Sequence, residues 1–217
     1  MDLLARPHAV IQAGLGAVHA LTDSEKRAHP FVSWFAAAVL LLALVCAPAS
    51  AQPPAREYQV KAVFLFNFLQ FVEWPKDAFD NPRAPVRIGV LGEDPFGAAL
   101  DAAVRGETID HRPLVVRRSN RIEDLEDCHM LFVGGDLRHR LEGVLSRLSS
   151  QPILTVSEID GFARHGGVIA FYQDGKKVRF EINIAAARHH RLKLSSELLS
   201  LGRVIGTDAL TEGGPDT

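Results

Sequence analysis

Histidine is the side chain of this sequence best suited to bind a metal ion. The chain has nine histidines, and the adjacent pair His189-His190 stands between Arg188 and Arg191. The two guanidinium groups would repel a cation, and the sequence has neither an HExxH nor a CxxC spacing. The pattern therefore favours a solvated basic helix face, and we expect no metal and no other cofactor.

A glycine-rich loop after an apolar run is the next candidate for chemistry. Gly89, Gly92 and Gly97 invite comparison with a phosphate-binding loop. The lysine and hydroxyl residue that such a loop needs after its last glycine are replaced by alanines, and the acidic pair Glu93-Asp94 would repel phosphate. A tight turn from strand to helix is the favoured interpretation. Because no GxSxG elbow is present either, we predict no catalytic residue and no enzyme activity.

Arg179, Glu181, Asn183 and Arg188 form the most informative polar set. Arg179 and Glu181 are two residues apart on a predicted strand, so both side chains point from one face. Asn183 can cap the helix that follows, and Arg188 in that helix could reach back. One interpretation is a structural network of ion pairs and a cap. The other is a pocket for a small anionic ligand or a partner, because arginine contacts carboxylate and phosphate in a bidentate manner.

These side chains must be positioned by a fold in which short apolar runs alternate with helical patterns. The Asp174-Gly175 turn joins two of the runs into a hairpin. The order predicts an α/β fold, a three-layer sandwich whose mostly parallel sheet has an antiparallel edge hairpin. The predicted strands are 85–92, 113–118, 128–133, 153–156, 168–172 and 178–182; the predicted helices begin near residue 98 and cover 137–148, 158–163, 184–189 and 195–205.

The loop 93–97 lies on the predicted functional rim of this fold. Ligands of open α/β sheets bind beyond the carboxyl ends of the strands, and this loop follows the first of them. Asp94 and Phe96 are therefore predicted binding residues, with Phe96 as an apolar anchor for a partner.

The first predicted helix, residues 57–74, is apolar around most of its circumference. Polar residues recur only every third position and draw a narrow stripe, and Pro75 ends the helix. A helix of this kind is either buried on several sides or packed against a partner. We expect most of it to be core and name Trp74 as its interface residue.

The N-terminal region has the three parts of a secretory signal peptide. Lys26-Arg27 precede the apolar run 31–45, which leads to the small-x-small sequence Ala49-Ser50-Ala51. We predict a signal peptide at 26–51 that is cleaved after Ala51, with an uncleaved N-terminal anchor as the alternative. Residues 1–25 are either a start assigned too early or a cytoplasmic tail.

Cleavage would leave an exported α/β domain at 52–205 and a flexible tail at 206–217. Only Cys128 would remain, so the exported chain could form no internal disulfide. Its apolar surroundings predict an inert core thiol, and an intermolecular disulfide or redox role is the alternative.

Composition and charge limit the function classes. Hydrophobic residues make up 47% and charged residues 23% of the 217 residues, which is typical of a globular protein. The formal net charge is −2, whereas a dedicated nucleic-acid binder is normally strongly basic. We therefore expect no nucleic-acid partner.

Several sequence strings together resemble the YfiR-like (HmsC-like) family of periplasmic proteins. Each string is modest alone, but they occur in order over nearly all of 57–205. The strings are Val60–Phe68 with Phe71–Pro75, Gly89–Gly97, Cys128–Phe132, Leu154–Ser157, Val178–Arg188 and Leu192–Leu199.

The resemblance implies a non-enzymatic exported regulator with a compact α/β fold, often a homodimer. The best-known member binds the periplasmic part of an inner-membrane diguanylate cyclase and keeps it inactive, which controls cyclic-di-GMP output and biofilm formation. That member's redox behaviour needs several cysteines, so redox gating through an internal disulfide is not expected here. Alternatives to a periplasmic repressor are a small-solute binding protein that feeds a transporter or receptor, and an envelope enzyme.

Overall fold

The protein was examined as a computed structural model, which describes residues 53–149 and 151–206. The predicted signal peptide, residues 1–25 and nearly all of the predicted tail lie outside these residues. No helix of the described part is long and apolar enough to cross a bilayer.

The described chain alternates strands with helices, as the sequence predicts. Short 3-10 turns stand between several of these elements. The helices are α1 (Pro53–Gln70), α2 (Ala98–Val104), α3 (Leu141–Leu148), α4 (Ile184–His189) and α5 (Ser196–Leu201). The strands are β1 (Val72–Glu73), β2 (Val86–Leu91), β3 (Thr108–Ile109), β4 (Arg112–Ser119), β5 (Met130–Val133), β6 (Leu154–Ser157), β7 (Ile169–Asp174), β8 (Lys177–Asn183), β9 (Lys193–Leu194) and β10 (Arg203–Ile205).

Eight strands form one sheet in the order β10-β8-β7-β6-β5-β2-β4-β3. Five adjacent strands of this sheet, β4, β2, β5, β6 and β7, run parallel to one another, and the short β3 pairs antiparallel with β4 at the edge. β7 and β8 form the predicted antiparallel hairpin, in which Phe171 faces Phe180. The short strand β10 adds to β8 in parallel, outside the hairpin. β1 and β9 form a separate antiparallel pair.

The sheet is covered on both faces, which makes the molecule a three-layer α/β sandwich. One face packs an aromatic-rich core against α1, with Phe68, Phe132 and Phe180 buried in it. The other face packs Leu131 and Val133 against the apolar side of α3. Strands buried on both faces read as continuous apolar runs, which explains the pattern in the sequence.

Two predicted helices end earlier than expected, and a third predicted helix does not form. The first helix ends at Gln70, because the chain then extends to pair β1 with β9. Residues 158–163 form turns instead of a helix. The last predicted helix, 195–205, ends at Leu201, and the chain continues as β10 because that strand completes the edge of β8.

Candidate functional site

The Arg179 set lies on one face of the hairpin, and only part of it comes together. Glu181 is 7% exposed and forms an ion pair with Arg203, whose guanidinium lies 4.7 Å from the centre of the Tyr172 ring. Arg179 is exposed, and its Nε is 3.9 Å from an Asp174 carboxylate oxygen. Glu181 thus has a structural partner, whereas Arg179 faces solvent.

Asn183 caps α4, as the sequence predicts. Its Oδ1 accepts a hydrogen bond from the Ala186 backbone N at 2.9 Å, and its Nδ2 donates to the Ala163 carbonyl at 2.7 Å. Arg188 lies exposed in the last turn of α4, and the ion pairs among the described residues do not include it. The structure therefore does not gather Arg179, Asn183 and Arg188 into one pocket.

The 93–97 loop is held by its own contacts. Asp94 accepts hydrogen bonds from the Phe96 backbone N at 2.8 Å and from Arg118 Nε at 2.6 Å. Phe96 is only 4% exposed, and its ring centre lies 4.7 Å from that of Phe132 and 5.7 Å from that of Tyr58. The prediction of Phe96 as an exposed anchor is wrong, because the loop turns its ring into the aromatic core.

Trp74 is half-buried and is joined to the sheet. Its indole N–H donates to the His129 carbonyl at 3.2 Å, and its ring meets Phe79 edge to face. With Pro75, Phe79 and Arg112 it lines a shallow hollow of about 400 Å³. The remaining exposed part of the ring is available to a partner.

His129 has a structural role that sequence patterns do not reveal. Its Nδ1 accepts from the Arg87 backbone N at 3.0 Å, so its Nε2 carries the proton and donates to the Ala78 carbonyl at 3.0 Å. Its ring stacks on Phe79 with centres 4.2 Å apart. Burial lowers the pKa of His129 from 6.5 to about 4, so the ring is neutral near pH 7.

A buried lysine network was also missed. Lys61 is 5% exposed, and its Nζ lies 2.5 Å from carboxylate oxygens of both Glu57 and Glu158. The Tyr58 hydroxyl donates to the other Glu158 oxygen at 3.0 Å, and burial together with this carboxylate raises the pKa of Tyr58. Glu57 and Lys61 have the i, i+4 spacing that is typical of an ion pair on a helix, but no local pattern of the sequence indicates that Glu158 joins them.

This network lies at the carboxyl end of β6, where ligands of such sheets bind. No buried side-chain polar atom of the described residues lacks a hydrogen-bond partner. Lys61 is therefore committed to two carboxylates, and Tyr58 stays protonated. The arrangement holds α1 onto the sheet.

The outer side of α1 differs, because its apolar residues face solvent. Val60 is 43% and Val63 is 50% exposed, one helical turn apart on a single stripe with Arg56, Phe64 and Asn67. We call these five residues the outer stripe. The sequence predicts that α1 is either buried on several sides or packed against a partner, and in the structure one side of α1 is buried while the outer stripe is partly exposed.

Cys128 does not lie in a reactive setting. Cys128 is free and 2% exposed, and burial raises the pKa of its thiol to about 11. Its predicted position in the core is confirmed. Among the described residues, no group of three His, Cys, Asp or Glu side chains is arranged to hold a metal ion.

Comparison with known proteins places this architecture in a family. A family model described as YfiR/HmsC-like matches residues 58–203, which is nearly the whole of the described fold. The chain belongs to the YfiR/HmsC-like family. The strings that carry the resemblance lie mainly in α1, β1, β2, β5, β6, β8, α4, β9 and α5, and many of their apolar residues are buried in the core of this YfiR/HmsC-like domain.

Individual relatives add little to the family assignment. A search of curated proteins finds no match. One similar solved structure is the crystal structure of a conserved domain protein from Vibrio cholerae O1 biovar eltor str. N16961, which is 11% identical and has a TM-score of 0.42. The match covers 55% of this chain and 54% of that one, so the chain spans about half the length of that protein.

Proposed function

We propose that this protein is a periplasmic, non-enzymatic regulator that binds the periplasmic segment of an inner-membrane diguanylate cyclase and holds it inactive. The observation that carries the proposal is the family match over 58–203. The site geometry supports it, since the buried polar groups at the carboxyl edge of the sheet are occupied by one another while apolar and basic side chains remain exposed. Cyclic-di-GMP synthesis and biofilm formation would follow from release of the cyclase.

Repression in this account is differential binding. A regulator shifts a two-state enzyme only by the difference between its affinities for the two states. Shifting a cyclase from mostly active to mostly inactive takes an affinity ratio on the order of 10⁴. A homodimer would present two copies of the binding surface, and we include it in the proposal.

The predicted site residues divide into two roles in this proposal. Arg179, Arg188 and the exposed part of Trp74 are available to contact the partner. Asp94, Glu181 and Asn183 hold the loops and strands that present that surface. Arg179 lies exposed on the hairpin itself, so we expect it to matter most for binding.

The test uses the full chain, expressed with a C-terminal tag and purified from the envelope. It should bind a membrane diguanylate cyclase reconstituted in detergent or lipid and lower its synthesis of cyclic-di-GMP. Arg179→Glu should abolish this control without unfolding the protein. Arg105→Glu, which changes an equally exposed arginine at the end of α2, should leave control intact. Full repression by a folded Arg179→Glu protein would contradict the role given to that residue.

A second candidate function rests on a different hollow. Residues of the turn before α3 and of the 159–165 segment enclose about 800 Å³, a volume within the range of small-molecule sites. Its lining combines cations with carboxylates and would suit a small polar solute that carries charges of both signs. The cationic residues are Arg138, Arg140 and Arg147, and the carboxylates are Glu123, Glu142 and Asp160. A solute-binding protein would be stabilised against heat by such a metabolite and would need no membrane partner.

A further inference from the structure

The outer stripe of α1 forms one wall of a groove whose other wall is the β7–β8 hairpin. A hollow of about 730 Å³ lies between α1 and the segment from Gln173 to Arg179. A second hollow of about 380 Å³ continues along the helix to Asn67. The two share Arg56, Val60 and Phe64 as lining residues, so they form one continuous groove.

The floor of the groove is apolar and lacks a cover among the described residues. Val60 and Val63 are about half exposed, although Phe64 beside them packs on Phe171 and Phe180 of the hairpin. Exposed apolar side chains placed singly are ordinary, but contiguous ones beside a polar rim mark interaction surfaces. The floor is therefore a candidate docking surface.

The rim of the groove is basic. Arg56, Lys176, Lys177 and Arg179 line it, against the single carboxylate of Glu57. Glu57 is already engaged, because its carboxylate lies 2.5 Å from Lys61 Nζ. The ion pairs among the described residues include neither Arg56, Lys176 nor Lys177, and the Arg179–Asp174 contact is long, at 3.9 Å. Asp174, in the same turn, is the other carboxylate nearby, so among the described residues the rim carries more positive than negative charge.

We infer that this groove binds an acidic, amphipathic segment of a partner protein, with apolar side chains on Val60 and Val63 and carboxylates on the lysine and arginine rim. The inference rests on the proposed function for the identity of the partner, where the segment would belong to the cyclase. Charge complementarity selects acidic partners and speeds their encounter, while the buried apolar contacts supply affinity.

The shape of the surface separates this occupant from two others. A membrane-binding helix projects its apolar side outward into lipid, whereas Val60 and Phe64 lie between the helix and the hairpin in a concave groove. A small-molecule site encloses most of its ligand, whereas this floor is half open to solvent. An extended or helical peptide fits an open groove that is lined along α1 from Arg56 to Asn67.

The direct test is NMR titration of the isotopically labelled protein with short synthetic peptides. The probe is an amphipathic peptide of Leu, Ala and Glu, and its control is the same peptide with Lys in place of Glu. The acidic peptide should shift backbone amide signals of residues 56–67 and 173–179 and bind at least about tenfold more tightly than the basic one, a difference that salt reduces. Shifts elsewhere, no shifts, or equal binding of both peptides would overturn the inference.

Two variants test the two parts of the groove. Lys176→Glu/Lys177→Glu should lower the affinity for the acidic peptide about tenfold or more and remove most of its salt dependence. Val60→Ser/Val63→Ser should also lower it about tenfold, by removing apolar contact. Val115→Ser is the matched control, since Val115 is 42% exposed and lies outside the groove. Equal affinity in all three variants would overturn the inference.

Two further experiments, one with the cyclase and one with lipid vesicles, complete the test. If the protein represses the cyclase and the groove variants repress it equally well, the groove inference fails while the proposed function stands. If no cyclase is bound but the acidic peptide behaves as described, the proposed function fails while the groove is confirmed. Binding to phosphatidylglycerol vesicles that the groove variants lose, without binding to the acidic peptide, would assign the surface to membrane lipid and overturn the inference.

Discussion

The two sides of helix α1 contain similar residues in opposite situations. The inner side buries Leu65, Phe68 and Leu69 completely or nearly so, together with a lysine whose charge is matched by two carboxylates. The outer side exposes Val60 and Val63 beside cations of which, among the described residues, only Arg179 has an ion-pair partner, at 3.9 Å. The apolar and charged groups of the inner side are covered and paired by other residues of this chain, whereas the apolar residues of the outer side stay exposed among the described residues.

The two sides of α1 differ in how their charged groups are paired, and this separates the side that stabilises the fold from the side that we propose for binding. A buried charge is costly unless it is paired and hydrogen-bonded, so the fold supplies Glu57 and Glu158 to Lys61. Exposed cations are solvated by water, so they carry no such cost and remain free to pair with carboxylates of a partner. The same helix therefore stabilises the domain with one side and presents a recognition surface with the other.

The largest expected loss of stability comes from truncating a buried side chain on the inner side of α1. Phe68→Ala should destabilise the protein by about 4 kcal/mol, because it leaves a cavity among Phe64, Phe171 and Phe180. Val63→Ala on the outer side should change stability by less than about 0.5 kcal/mol. Urea unfolding followed by circular dichroism measures both. Similar losses for the two variants would contradict the division between the sides.

Breaking the lysine network should have the next largest effect. Lys61→Met leaves two carboxylates close together without their cation and should cost about 3 kcal/mol. Adding Glu158→Gln to this variant should restore part of the loss. Lys76→Met, at an exposed lysine, is the control and should be nearly neutral in the same unfolding experiment. A loss no greater than that of the control would show that Lys61 is not structurally engaged.

Acid should weaken the fold through His129, which is buried neutral, in contrast to the paired charge of Lys61. Since burial lowers its pKa to about 4, protonation favours the unfolded state, so its contribution is complete above pH 6.5 and is lost as pH falls towards 4. The expected loss is about 1 kcal/mol per pH unit in that window. Burial also lowers the pKa of His190, which acts in the same direction.

The His129→Phe variant isolates this contribution. It should be less stable than the wild type at pH 7, because the Arg87 N–H loses its acceptor, yet its stability should fall less steeply between pH 6.5 and 4.5. Urea unfolding at several pH values gives the two slopes. Equal slopes would mean that His129 does not titrate in the predicted window.

The smallest expected effect on stability belongs to the outer side. Val60→Ser/Val63→Ser should leave the thermal midpoint within a few degrees of the wild type, because both side chains are already half solvated. The same double variant should still lose repression of the cyclase. A large loss of stability would mean that the two valines belong to the core, and would remove the contrast between the sides.

The sequence predicts most of this fold because its signals are local. Continuous apolar runs locate β2, β5 and β6, the Asp174-Gly175 turn locates the hairpin, and Asn183 marks the start of α4. The resemblance to the YfiR-like family also comes from such runs, and the family match confirms it.

What the sequence does not predict depends on contacts between distant residues. Glu158 meets Lys61 across 97 positions, and His129 reaches Ala78 across 51, so neither network has a local pattern. Phe96 is an aromatic residue in a loop, which suggests an exposed anchor, but it is buried because its ring packs against Phe132 and Tyr58. The strand β10 pairs with the outer edge of β8, which is distant in sequence. Gly202, just before β10, lies so close to Phe180 that a side chain there would collide with its ring.

Quantitative affinity capture from solubilised native envelope tests the central claim most directly. The baits are the tagged full chain and its Lys176→Glu/Lys177→Glu variant, both shown to be folded, and the captured proteins are identified by mass spectrometry. The account predicts that the wild type recovers a membrane protein with a periplasmic sensor segment and a diguanylate cyclase domain, and that the variant recovers at least about tenfold less. Recovery of no such protein, or equal recovery by both baits, would contradict it.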